Sequence, residues 1–349
     1  MKEKFTIKDF AMNILNGIAI GVVVVLVPGA LLSELVKVLL PSMPALSVVQ
    51  QGLNLANSMM GLVCGILVGL NFKFSPIQAA SLGLAVEFSA GAIKAKDGAL
   101  ILSGTGDIIN MMIVAAIGAG VILLVADRLK AYTILIIPTL LLVVVGSVGV
   151  IIAPYVARIT ELIGIGIKQL LGLQPMLMCI LLAVVFGVLI VSPITTVGIA
   201  LAISLAGIGS GAANVGICAT GFAFAILGWR VNSHGISIAH FLGSPKISMP
   251  VIARNPKTLI PIICSNACSG LVAYIFQVKG TPMSAGFGFS GLVGPINNLN
   301  LASGGWSMIN ILITTLVYAV FPIIFGLIFK KVFVDKLHFV NEEDYRLSL

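Results

Sequence analysis

The chain has 349 residues, 59% of them hydrophobic and only 9% charged, with a mean hydropathy of +1.15. A soluble domain carries roughly a quarter charged residues, so this composition excludes one. The net charge of +8 does not point to nucleic acid, because the Lys and Arg sit at the ends of apolar segments, the positive-inside pattern of a membrane protein.

Apolar stretches near 13–32, 108–127, 133–154, 176–192, 258–278 and 307–329 approach or exceed the roughly 20 residues that span lipid. Ten-residue segments of alternating hydropathy, which a membrane β-barrel would need, are absent. The sequence therefore reads as an all-α polytopic membrane protein, with about 8–10 transmembrane helices plus re-entrant hairpins. Lys2, Lys4 and Lys8 precede the first apolar stretch, and Lys330, Lys331 and Lys336 follow the last. Both termini are then expected in the cytoplasm, with an even number of crossings. The first stretch lacks a small-residue cleavage site and reads as a retained helix.

In chain order, MNILNGIAIGVVVVLVPGALL from Met12 carries Pro28-Gly29, which predicts a kink or break. Residues 45–58, with Gln50, Gln51, Asn54 and Asn57, read as an interfacial or internal helix before a short span at 59–71. Next, KFSPIQAASLGLAVEFSAGAIKAKDG places Glu87 in an apolar, small-residue run, and Asp107 follows Gly104-Thr105-Gly106. Two spans, 108–127 and 133–154, are separated by Arg128 and Lys130, and residues 157–172 look like an interfacial amphipathic helix. MCILLAVVFGVLIVSP (178–193) then echoes MNILNGIAIGVVVVLVP (12–28), with Gly187 matching Gly21. GWRVNSHGISIAH (228–240) likewise stands where GLNFKFSPIQAA (69–80) stood. These echoes predict two diverged repeats, a common transporter plan with the site at the repeat interface. The boundaries are repeat one at about 12–155 and repeat two at about 176–330, within a single transmembrane domain 1–330 followed by a cytoplasmic tail 331–349. The stretch 276–300 is too broken for a clean span and reads as a re-entrant hairpin or loop.

An ionisable group at membrane depth costs roughly 2.5–3.5 kcal/mol on insertion scales, so Glu87 and Asp107 are expected to face a cavity or a partner. Glu87 could instead be a neutral or paired structural carboxyl, and Asp107 could be a helix N-cap with Asn110 one turn on. The stretch 228–261 holds Asn232, His234, His240 and Lys246 and is interrupted by Pro245, Pro250 and Pro256, irregular backbone that membrane depth tolerates only inside protein or beside a wet cavity. His234, beside Asn232 and Ser233, could hold a sugar hydroxyl or relay a proton, or could make only structural hydrogen bonds. His240, six residues on, lies on another helix face, which argues against a two-histidine metal site. Lys246 could attract an anionic ligand or mark the end of a segment. Asn297 and Asn298 suit a neutral polar solute or a loop exit. The five cysteines, Cys64, Cys179, Cys218, Cys264 and Cys268, all lie in apolar segments and read as small buried hydrophobes. No metal set, nucleotide fingerprint or other cofactor motif is visible.

LGLAVEFSAGAIKAKDGALILSGTGDIIN, the NSHGISIAHFLGSPKISMP corner, the NPKTLIP entry and the GFGFSGLVGPINN loop together resemble one family over roughly 12–330. It is the type-2 IIC membrane subunits of the bacterial phosphotransferase system (PTS), including the perfringolysin O regulator (PfoR)-like branch. The resemblance implies an inner-membrane, homodimeric subunit that binds and imports a sugar or polyol, with separate IIA and IIB proteins supplying the phosphoryl group. This chain would be at most the membrane component of a sugar phosphotransferase, since it shows no phosphotransfer domain and its cysteines lie in apolar segments. Family members place a histidine and a glutamate near the sugar, matched in type here by His234 or His240 and by Glu87. The expected site joins Glu87, Asp107 and Asn110 to Asn232, Ser233, His234 and Asn297, with His240, Lys246 and Asn298 as secondary candidates and no catalytic residue or metal. A membrane-embedded solute sensor or an ion-coupled secondary transporter are the alternatives.

Overall fold

A computed structural model describes residues 6–102, 104–129 and 132–347 of the chain, and it is built almost entirely from helices. Six helical runs among them are long and apolar enough to cross a membrane: Ile7–Leu39, Ile108–Val125, Thr133–Leu170, Gly207–Leu227, Pro256–Ile275 and Met308–Lys336. A pair bent by 53°, Pro44–Ser58 and Met60–Asn71, makes a seventh if counted as one span. The chain is an all-α polytopic membrane protein. It divides into two compact units, the first made chiefly of Met1–Gly29 and Val36–Arg158, the second of Ala30–Leu35 and Ile159–Leu347.

The first unit begins with α1 (Ile7–Leu39), started by a capping box between Thr6 and Asp9. This helix runs through Pro28 without the predicted break. α2 (Ser47–Ser58) and α3 (Met60–Asn71) are parted at Met59. α4 (Pro76–Ala90) opens with Ser75 as N-cap and ends at Gly91, which adopts the left-handed conformation. Between α4 and α5 (Ile108–Leu129) lies an antiparallel hairpin, β1 (Ile93–Lys96) and β2 (Ala99–Leu102). Its turn has positive φ at both Asp97 and Gly98, the geometry for which Asp-Gly is favoured. α6 (Thr133–Thr139) continues through a π-helical turn, Leu140–Gly146, into α7 (Ser147–Leu170). Residues 157–172 are thus mostly the extension of a spanning helix and not a separate interfacial one.

Close approach holds α3 against α4. A methyl added at Gly65 would lie 2.7 Å from Gly83 Cα, and one at Gly69 would lie 2.7 Å from Ala79 Cα. The small residues of α3 recur every four positions, and those of α4 do the same, which is how membrane helices pack without a hydrophobic drive between them. Continuing that register by one more step pairs Gly61 with Glu87.

In the second unit, α8 (Pro175–Leu189), α9 (Thr196–Ala202), α11 (His234–Leu242), α12 (Met249–Arg254), α13 (Leu259–Ile275), α14 (Val293–Leu301), α15 (Met308–Thr315) and α16 (Phe321–Lys330) accompany α10 (Gly207–Leu227). α10 is the core helix of this unit, with 94% of its apolar window buried. It is absent from the apolar stretches picked out in the sequence, because Gly, Ser, Asn and Thr dilute its apolar content to the lowest mean of the six runs, 1.5. The Gly-rich stretch after α13 is a chain of turns lying on α10, joined to it by backbone hydrogen bonds between Gly207 and Gly280.

Candidate functional site

The register of the α3–α4 seam carries Glu87 to the place where α3 begins. The break at Met59 leaves the first N–H groups of α3 without intrahelical acceptors. Glu87 Oε2 accepts one of them, from Leu62 N, at 2.9 Å, and so acts as an N-cap supplied by another helix. An anion is favoured there by the helix dipole. The second oxygen, Oε1, is buried and accepts no hydrogen bond.

Asp107 lies at the other end of the same turn of α4. Its N–H donates to Ala90 O at 2.9 Å, and its Oδ1 accepts from Asn110 N at 3.0 Å, so it caps α5. Asn110 is fully buried. Its Nδ2 donates to Ser89 O at 2.7 Å and to Gly149 O at 3.3 Å, tying α4, α5 and α7 together, while its Oδ1 has no donor. Glu87 and Ser89 point to opposite sides of α4, about 200° apart. Glu87 therefore meets α3, and Asn110 meets the other face. Asn57, two residues before the break, also has a buried and unpartnered amide oxygen. Among the described residues, the buried side-chain atoms without a partner around this end of the first unit, in Asn57, Glu87 and Asn110, are oxygen acceptors.

In the second unit the expected site residues disperse. Ser233 caps α11, accepting from Ile236 N at 3.3 Å. His234 is exposed, its ring 5.0 Å from that of Trp229. The Asn232 amide is engaged by the segment near 345, with Nδ2 donating to Tyr345 O at 3.0 Å and Oδ1 accepting from Leu347 N at 2.8 Å. Asn297 and Asn298 brace the turns after α13. Thr281 donates to Asn297 Oδ1 at 3.0 Å, Lys279 N donates to Asn298 Oδ1 at 2.8 Å, and Asn298 Nδ2 donates to Thr314 at 2.8 Å.

His240 is buried beneath Phe224, its ring centroid 5.8 Å away and nearly parallel. Nδ1 lies 2.9 Å from Ile236 O, which can only accept, so the neutral ring carries its proton there. Ser248 then donates to Nε2 at 2.7 Å. Lys246 is also buried, and its ammonium donates to Ser192 O and Ile194 O, each at 2.7 Å, just beyond the C-terminal end of α8.

Asn214, at the middle of α10, was not singled out by the sequence. It is fully buried, accepts from Gly288 N at 3.0 Å and Gly286 N at 3.4 Å, and donates to Ser284 at 3.4 Å. A polar amide in a helix this buried was the signal that could have found it. Among the described residues no group of His, Cys, Asp and Glu could hold a metal ion.

Residues 12–347 match the family model described as Phosphotransferase system, EIIC. No curated protein and no solved structure matches the chain.

Proposed function

The chain belongs to the phosphotransferase-system EIIC family, whose model covers nearly all of it, and on that premise we propose that Glu87 is the centre of its solute site and that the solute is a sugar or polyol. Membership makes the chain a multi-pass sugar-transport subunit of a phosphotransferase system, working with IIA and IIB proteins.

One observation carries the site. The Glu87 carboxylate is held by a backbone N–H at a broken helix, with its second oxygen buried and unpartnered. A buried acceptor left without a donor costs about 1–3 kcal/mol, and a solute hydroxyl removes that cost. Transporter sites recur at such half-helix ends. Asp107, bonded to Ala90 at the end of the same α4 turn, adds a second carboxylate. An unmet carboxylate oxygen favours a ligand that brings an O–H group to it. The lysines before α1 and after α16 support a bacterial cytoplasmic membrane placement with both ends of the chain in the cytoplasm.

The test is a thermal-shift panel of neutral sugars, polyols and sugar acids on the purified protein, beside Glu87→Gln and Glu87→Asp. A neutral polyhydroxylated ligand should raise the Tm of the wild type and leave Glu87→Gln unshifted. Equal shifts in all three proteins would remove Glu87 from the site.

A further inference from the structure

We infer that residues 339–347 are a releasable strap, a self-peptide seated in a receptor on the second unit, and that its seating fixes the helix bearing His240. The receptor reads the strap's backbone with side chains. Asn232 takes Tyr345 O and Leu347 N together, in the manner of a neighbouring β-strand, and Arg254 donates to Arg346 O. Three strap residues, Val340, Tyr345 and Leu347, are buried, and Tyr345 is the largest of them. Tyr345 is 2% exposed, its hydroxyl donates to Thr258 O at 3.1 Å, and its ring meets the edge of Phe224 at 6.0 Å.

One strap acid meets receptor charge: Glu342 pairs outside the strap, whereas Glu343 bonds Arg346 and Asp344 accepts from Asn341 N within it. Three successive acids, Glu342, Glu343 and Asp344, lie on the strap. Glu342 pairs with Lys330 at 2.6 Å and with the exposed Arg230 at 3.6 Å, and Lys257 sits 5.8 Å over the ring of Phe339. Arg346, bonded to Glu343 at 2.7 Å, holds that exposed carboxyl below its ordinary pKa. The strap makes one 3-10 turn, Glu342–Tyr345, and is extended at Arg346, where Asn232 and Arg254 read its backbone. Side-chain contacts to a short backbone segment, a buried aromatic ring and partly exposed ion pairs are means by which peptides dock in grooves.

The strap also reaches the histidine. Phe224 has Tyr345 against its edge and His240 stacked on its face, and Ser248 completes the row. Asn232 immediately precedes Ser233, the N-cap of α11. Seating the strap therefore holds α11 at its first residue and at the ring it packs on.

The experiment uses the full chain in lipid nanodiscs and a fluorescent peptide of sequence FVNEEDYRLSL. Tyr345→Ala should release the strap, so that the peptide binds this variant at least ten-fold more tightly than the wild type, whose receptor is filled. Adding Asn232→Ala should abolish that binding. Amide exchange across Ile236–Gly243 should rise about ten-fold in Tyr345→Ala and fall back when the peptide is added. Should Tyr345→Ala fail to fold, Glu342→Lys weakens the seating at a partly exposed ion pair and serves in its place. Peptide binding equal in the wild type and the released variant, or absent from both, overturns the receptor. Peptide binding without any change in α11 exchange overturns the coupling to His240.

Discussion

The Lys246 ammonium and the Ser192 carbonyl lie 2.7 Å apart, with the Ile194 carbonyl at the same distance and no carboxylate among the hydrogen-bond partners of the lysine. A buried cation normally needs a counter-charge. Here the carbonyls that follow the end of α8 supply the negative pole, as the N–H groups that open α3 supply the positive pole for Glu87. Each unit thus meets an ionisable side chain, half-buried Glu87 in one and buried Lys246 in the other, with the interrupted end of a helix of matching polarity. Replacing Lys246 by Met should leave both carbonyls unmet, at about 1–3 kcal/mol each. Unfolding of the purified variant measures this, and Lys246→Met with an unchanged Tm would show that the carbonyls find other donors.

Gly61 sets how close α3 comes to Glu87. A methyl there would stand 2.8 Å from Glu87 Oε2 and 2.9 Å from Glu87 Cα, whereas one at Gly52 meets nothing within 4 Å. Gly61→Ala should therefore destabilise by about 1–3 kcal/mol through overpacking. It should also weaken solute binding at least ten-fold by displacing the carboxylate. Gly52→Ala, in an open helix position, should be neutral or slightly stabilising. Comparing Tm and ligand affinity of the two variants separates a local clash from a general effect of removing glycine.

The contrast between these two glycines explains what the sequence shows and what it hides. Hydropathy reveals most long helices, because each must satisfy its own backbone in lipid. It marks α10 most weakly of the six, since a helix enclosed by protein carries small and polar residues where a lipid-facing one carries Leu and Val. Gly-Thr-Gly-Asp announces the cap on α5 within a few residues, whereas the hairpin at Asp97-Gly98 is not among the expected elements, although Asp-Gly is a local turn signal. Asn232 gives no such sign. Its partners, Tyr345 and Leu347, are more than a hundred positions away, and only the folded chain brings the amide to a strand of backbone. Glu87 stands between these cases: an isolated acid is conspicuous, but its role follows from the Gly61 register, which four-residue spacing encodes and hydropathy does not.

Asn214 should prove more sensitive than any other polar residue of α10. It accepts from the N–H groups of both Gly286 and Gly288, and its own amide reaches Ser284. Asn214→Leu should free both glycine amides, raising their hydrogen exchange by at least ten-fold and exposing the 281–294 turns to protease. Asn214→Asp keeps an acceptor for each N–H and should retain most of the protection. Equal protection in the Leu variant would mean that the turns are held by their other bonds, among them those of Thr196 and Ser210 to Gly286 O and Thr281 O and that of Thr281 to Asn297.

His240 and Ser248 should behave as one energetic unit. Ile236 O accepts from Nδ1, which leaves Nε2 as the acceptor for the Ser248 hydroxyl in a site closed to water. Removing the serine strands a ring nitrogen, and removing the histidine strands the hydroxyl and uncovers Phe224. Ser248→Ala should cost about 1–3 kcal/mol, as an unsatisfied buried group does. His240→Ala should cost more, through the lost ring packing. Together they should cost less than the sum, by about 0.5–3 kcal/mol, because the second change removes a partner already lost. A cycle that closes additively would mean the two side chains find separate partners, and the hydrogen bond between them would then contribute nothing to holding α11 on Phe224.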